Sequence, residues 1–211
     1  MRGLFLNNYY SMQSNIKVSL SIAVALLLVT FFVSDIKVMN ALIAGQIMLF
    51  AVSIGSSLQV DEASKWSRME ITLLVKRSTV IGAKYLSFVM LLLLGMAISV
   101  CTTILLSLKE SVSLANLWNG YSFGLSLAIP VISVCFPAIL KFGVEKNEML
   151  LFLSVAAALG MRFLVWVLIN MTGNTVNFNG SEVGNAALMV SLLMFAASYF
   201  LSVRIQENKE F

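Results

Sequence analysis

The sequence predicts an all-α integral membrane protein with six transmembrane helices and both termini in the cytoplasm. Three observations carry that expectation. Of 211 residues, 59% are hydrophobic and only 11% are charged, whereas a soluble domain carries about 25% charged residues. Six apolar runs approach the length of about 20 residues that crosses a hydrocarbon core. Lys and Arg then fall unevenly between the connections on the two sides.

The runs lie at approximately 16–34, 38–58, 85–106, 118–140, 149–169 and 185–202. They make one transmembrane domain over 1–211, with no room for a second soluble one. With the N-terminus inside, eleven basic residues are cytoplasmic: Arg2, Lys17, Lys65, Arg68, Lys76, Arg77, Lys84, Lys141, Lys146, Arg204 and Lys209. Only Lys37 and Lys109 fall outside, and Arg162 lies within the fifth run. That bias accounts for the net charge of +4 without a nucleic-acid partner. The first run starts late, near Ile16, and ends in FFVSDIKVMN without a small-residue cleavage pattern, so it is expected to stay as an anchor.

Ahead of it, Phe5, Tyr9, Met12 and Ile16 follow helical spacing, while Asn7, Ser11 and Ser14 line another face. This predicts an amphipathic interfacial helix over 1–15, in the plane of the inner membrane surface.

Between the second and third runs stands DEASKWSRMEITLLVKRSTVIGAKYL, which spans Asp61 to Leu86 and holds eight of the 24 charges. Trp66, Met69 and Leu73 share one helical face, and Lys65, Arg68, Thr72 and Lys76 share its neighbour. Asp61 and Glu62 suit a helix start, where the dipole favours negative charge. The expectation is a short amphipathic helix over about 62–75 within a cytoplasmic elbow over 61–77. Lys84 and Tyr85 read as anchors at the membrane interface. The three acids among five bases suit a protein surface better than a purely lipid-facing helix, which is usually mostly basic.

The elbow resembles one branch of the ABC-2-type transporter permeases. That branch reads approximately acid–x–x–x–Trp–x–x–x–x–x–Thr-Leu-Pro–x–x–Arg, with a Lys-Tyr pair opening the next span. Glu62, Trp66, Thr72, Leu73, Arg77, Lys84 and Tyr85 match, while Leu74 stands where the family has Pro. The resemblance implies a half-transporter in the cell membrane, multi-pass and bacterial. Two permease subunits would pair, as a homodimer or with a sibling, and each would receive a cytoplasmic ABC ATPase. The branch includes permeases of small-peptide exporters, such as phenol-soluble modulin exporters, and of antimicrobial-peptide systems. It implies docking of the ATPase on Glu62, Lys65, Trp66, Met69 and Leu73, with Arg68, Lys76, Arg77 and Lys84 tuning docking or holding lipid headgroups. The chain has no G-x-x-x-x-G-K-[ST], so ATP and Mg would sit on the partner and no cofactor on this chain.

Arg162 is the one charge well inside a run, at a cost of about 2.5–3.5 kcal/mol at a helix centre. It would line the translocation path, snorkel outward, or reach Glu182 or Glu110. Pro130 and Pro137 in the fourth run remove backbone donors and can bend it where a cavity opens. Gly120-x-x-x-Gly124 and the patch Ala156, Ala157 and Gly160 allow close helix packing. Gln46 is expected to be satisfied by neighbours. Cys101 and Cys135 read as packing residues.

Three other classes place different demands on the sequence. The six-span substrate-binding component of an energy-coupling-factor importer would carry an Ala-rich first span, where SLSIAVALLL offers only Ala23 and Ala25. An intramembrane enzyme is opposed by the absence of His and of any acid within a span, which metalloprotease chemistry would need. An immunity or structural membrane protein is opposed by the elbow alone.

Overall fold

The computed structural model describes residues 2–32, 35–63, 76–109, 114–172 and 176–208. These residues form six long helices: α1 (Arg2–Val29), α2 (Ile36–Ala63), α3 (Arg77–Lys109), α4 (Leu114–Phe142), α5 (Asn147–Met171) and α6 (Ser181–Glu207). Single 3-10 turns at Thr30–Phe32 and Val144–Lys146 complete the described elements. All six helices contain a stretch long and apolar enough to cross a membrane. Each expected run is therefore a helix, and each helix outruns its hydrophobic stretch at one end or both.

The expected interfacial helix over 1–15 does not stand apart. Residues 2–15 are helical, but they continue into the first span as one 28-residue rod, about 42 Å long at 1.5 Å per residue. The polar positions of this segment explain why. Ser11 Oγ donates to Asp61 Oδ1 at 2.8 Å, and Asn8 Nδ2 donates to Ser87 Oγ at 3.4 Å. Met12, one turn along, is buried against the core. Groups that could have faced lipid headgroups face α2 and α3 instead.

The helix α4 occupies the centre, with 72% of its spanning window buried, against 53% for α2 and between 17% and 33% for the other four. It packs on α2, α5 and α6. Gly120 and Gly124 make the α2 contact possible. A Cβ on Gly124 would lie 2.9 Å from the Ala44 Cα, and one on Gly120 would lie 3.2 Å from the Asn40 Cα. On the opposite side, Gly184 of α6 meets Ser122 just as closely. The second small patch behaves differently. Ala156, Ala157 and Gly160 are exposed, and nothing lies within 4 Å of a Cβ on Gly160. The face that α5 buries runs through Leu150, Ser154, Ala158 and Arg162 instead.

Polar side chains in the spans are answered across helix seams. Gln46, fully buried, donates to the Ala23 carbonyl and accepts from Thr102 Oγ1 at 2.9 Å, joining α1, α2 and α3 as expected. Ser19 and Ser53 pair at 2.8 Å between α1 and α2. Thr103 and Tyr121 pair at 2.8 Å between α3 and α4. Such bonds average about 0.6 kcal/mol each in membrane bundles, so several are needed to fix register.

Replacing Gly124 by Val should force α2 and α4 apart and destabilise the bundle by about 1–3 kcal/mol, the usual cost of overpacking. Gly160→Val should leave thermal stability in detergent unchanged. Equal melting temperatures for the two variants would contradict the α2–α4 seam.

Candidate docking site at the elbow root

The elbow joins the end of α2 to the start of α3, and the described structure closes in on it from both sides. The helix α2 runs on through Ala63, so Asp61 and Glu62 sit in its last turn rather than at the start of a new helix. A negative charge at a helix C-terminus is opposed by the dipole. Asp61 is also 2% exposed, so its charge needs a partner. Lys84, one to two turns into α3, supplies it: Nζ lies 3.2 Å from Asp61 Oδ2, and Ser11 holds the other carboxylate oxygen.

Lys84 is therefore not an anchor at the lipid interface. It is buried, with its charge spent inside the bundle. Tyr85 is likewise a core residue. Its hydroxyl pairs with Ser198 Oγ at 2.6 Å and with Ser202 Oγ at 3.0 Å. Its ring packs edge-on against Phe136, Phe195 and Tyr199, with centroids 5.1–5.4 Å away. The Lys-Tyr pair that opens α3 thus ties it to α2 through the lysine and to α4 and α6 through the tyrosine.

Arg77 adds a third tie. It is exposed, and its Nη1 donates to the carbonyls of Gln206 at 2.7 Å and Glu207 at 3.0 Å, capping the last turn of α6. Unsatisfied carbonyls and the negative end of the dipole make that position favourable for a cation. The N-terminal helix, the elbow root and the C-terminal helix end consequently share one end of the bundle. Lys76 is exposed at the same end. Glu62 lies in α2, while Lys65, Trp66, Arg68, Met69 and Leu73, with the helix expected over 62–75, fall outside the described residues from 64 onward.

Pro130 and Pro137 are both buried within α4, which stays helical across them. Pro137 has no N–H for the Ser133 carbonyl four residues back. Ser198 Oγ of α6 donates to that carbonyl at 2.7 Å, and Tyr85 holds Ser198 in turn. The proline thereby creates an acceptor in mid-span that binds α6 to α4. A groove of about 540 Å³ opens beside it, between Pro137, Ala138 and Leu201.

Arg162 is 1% exposed and does not snorkel. One guanidinium nitrogen donates to Ser126 Oγ, and another donates to the Phe178 carbonyl at 3.2 Å. The guanidinium carbon stands 4.3 Å from the Phe123 ring centroid and 5.3 Å from that of Phe178. Glu182 does not pair with it, and Glu110 lies outside the described residues. In this conformation it fastens Phe178, in the connection before α6, to α5.

A six-helix membrane bundle, with one charged connection rooted by a buried ion pair, has the build of a transporter's membrane component. The chain belongs to the ABC-2 transporter family: the family described as ABC-2 family transporter protein matches residues 3–207. No curated protein and no solved structure matches it. Members of the family act as membrane transport components and work with an ATPase partner in general.

Lys84→Met should remove the cation that faces the buried Asp61 carboxylate, at a cost of about 3–5 kcal/mol. Asp61→Asn combined with Lys84→Met should recover much of that loss. Chemical denaturation in detergent measures both, and a double variant no more stable than the single one would contradict the pairing.

Proposed function

We propose that this chain is the permease subunit of an ATP-driven exporter in a bacterial plasma membrane. The elbow end of the bundle, with both termini, faces the cytoplasm, in line with the eleven-to-two bias of basic residues. A separate ATPase carrying ATP and Mg docks on the elbow through Glu62, Lys65, Trp66, Met69 and Leu73. Lys76 and Arg68 tune that contact or hold headgroups. A second permease subunit, identical or sibling, completes the transporter. The cargo is an amphipathic or antimicrobial peptide, or another hydrophobic molecule. That choice follows the elbow's resemblance to peptide-exporter permeases, and the groove beside Pro137 offers such a cargo an apolar wall.

The observation that carries the reading is the elbow root. Asp61, Lys84, Tyr85 and Arg77 connect the two ends of the elbow to α1, α2, α3, α4 and α6. A partner with different contacts in its ATP-bound and nucleotide-free states would shift the elbow between two positions, and the rooted helices would follow.

Co-expression with an ABC ATPase from the same organism tests the proposal. Wild type should retain the ATPase through purification in lipid and support its ATP hydrolysis. A Glu62→Arg, Trp66→Ala variant should lose it while staying folded. Equal retention would move the docking site elsewhere, and no retention by wild type would overturn the permease reading.

A further inference from the structure

The end of the bundle opposite the elbow carries a pocket. Its walls are Lys37 and Asn40 at the start of α2, Asn119 and Phe123 of α4, and Phe178 and Asn179 before α6. Two adjoining lobes of about 130 and 450 Å³ share Lys37, Asn119 and Asn179. No carboxylate lines it among the described residues. The nearest acid in sequence, Asp35, turns Oδ1 onto the Lys37 backbone N–H at 2.9 Å. Lys37 Nζ has no carboxylate partner among the described residues.

A second cation lies against the wall. Phe123 and Phe178 line the pocket, and both rings also pack on the Arg162 guanidinium. That charge is buried, faces no carboxylate among the described residues, and has Nε without a hydrogen-bond partner. The side-chain oxygen of Asn119 is also buried without a partner, and rotation of the amide would place its NH₂ there. The pocket thus combines the Lys37 cation and several asparagine amides with the Arg162 charge stacked on its aromatic wall, and no carboxylate among the described residues pairs with either cation. Beside it α2 presents Ala41 and Val38 outward, an apolar strip continuous with the spanning surface.

We propose that this pocket binds the phosphate of an anionic membrane lipid, drawn from the leaflet at that end. The headgroup sits between Lys37 and the asparagine amides, Arg162 supplies a fixed positive charge beyond the aromatic rings of the wall, and an acyl chain follows Val38 down α2. The apolar strip selects a lipid over a free anion. The proposal does not depend on cargo, ATPase or orientation.

Native mass spectrometry of the full chain in detergent tests it, with phosphatidylglycerol, phosphatidylcholine and inorganic phosphate as separate probes. One phosphatidylglycerol should be retained in preference to phosphatidylcholine. Lys37→Gln should weaken it about tenfold, the loss of one charge-assisted hydrogen bond. Lys146→Gln, at the elbow end, should leave it unchanged. Arg162→Gln should weaken it too, and Lys37→Gln keeps the test valid if that variant fails to fold. Equal retention of both lipids, no effect of Lys37→Gln, or loss with Lys146→Gln would overturn the site. Displacement of the lipid by inorganic phosphate at equal concentration would overturn the lipid as its occupant.

Discussion

A bilayer offers a buried polar group no water, so such a group must find its partner inside the protein. In this bundle that requirement decides which helix faces meet. Gln46 brings α1 and α3 to α2. The carbonyl freed by Pro137 brings α6 to α4. Asp61 brings α1 and α3 to the end of α2. Among the described residues, side-chain atoms left unpartnered belong to Asn7, Asn119, Asn147 and Gln206, all near helix ends, and to Arg162. Small residues set the distances, and polar pairs set the register.

The Asp61–Lys84 pair has a particular place in this arrangement. A buried ion pair adds little net stability, because desolvation offsets most of its attraction. What it does provide is a fixed relation between the helix entering the elbow and the helix leaving it. Twelve residues, 64–75, lie between the described ends, and both ends are tied to the rest of the bundle. In the proposed transporter, a displacement of the residues at either end of the elbow is therefore passed to α1, α2, α3, α4 and α6.

The spans were legible because hydropathy and length alone decide them, and Gly120 and Gly124 were legible because a close helix crossing needs small residues at that spacing. Lateral assignments were not. Lys84 and Tyr85 carry the composition of interface anchors, and only the positions of Asp61, Ser198 and Ser202 turn them inward. The polar face of residues 7–14 reads equally well toward headgroups or toward a buried acid. Ala156, Ala157 and Gly160 have the same chemistry as the α4 pair, yet all three are exposed, and among the described residues nothing lies within 4 Å of a Cβ on Gly160. The composition of the loop before α6 gives no sign that Trp166 donates to the Val176 carbonyl and that Asn170 accepts from the Val176 N–H. A clearer signal was available in α6. Gly184, Ala187, Ser191, Ser198 and Ser202 are all buried, and their spacing repeats at three, four and seven residues.

The central claim is that the elbow root transmits the ATPase's state to the far end of the bundle. Spin labels at Val38 and Glu182, both exposed at that end, report on it directly in a Cys101→Ser background. In wild type bound to its ATPase, adding ATP should change the distance between the labels. In the Asp61→Asn, Lys84→Met variant, with the ATPase still bound, that change should be lost. An identical change in both proteins would contradict the claim.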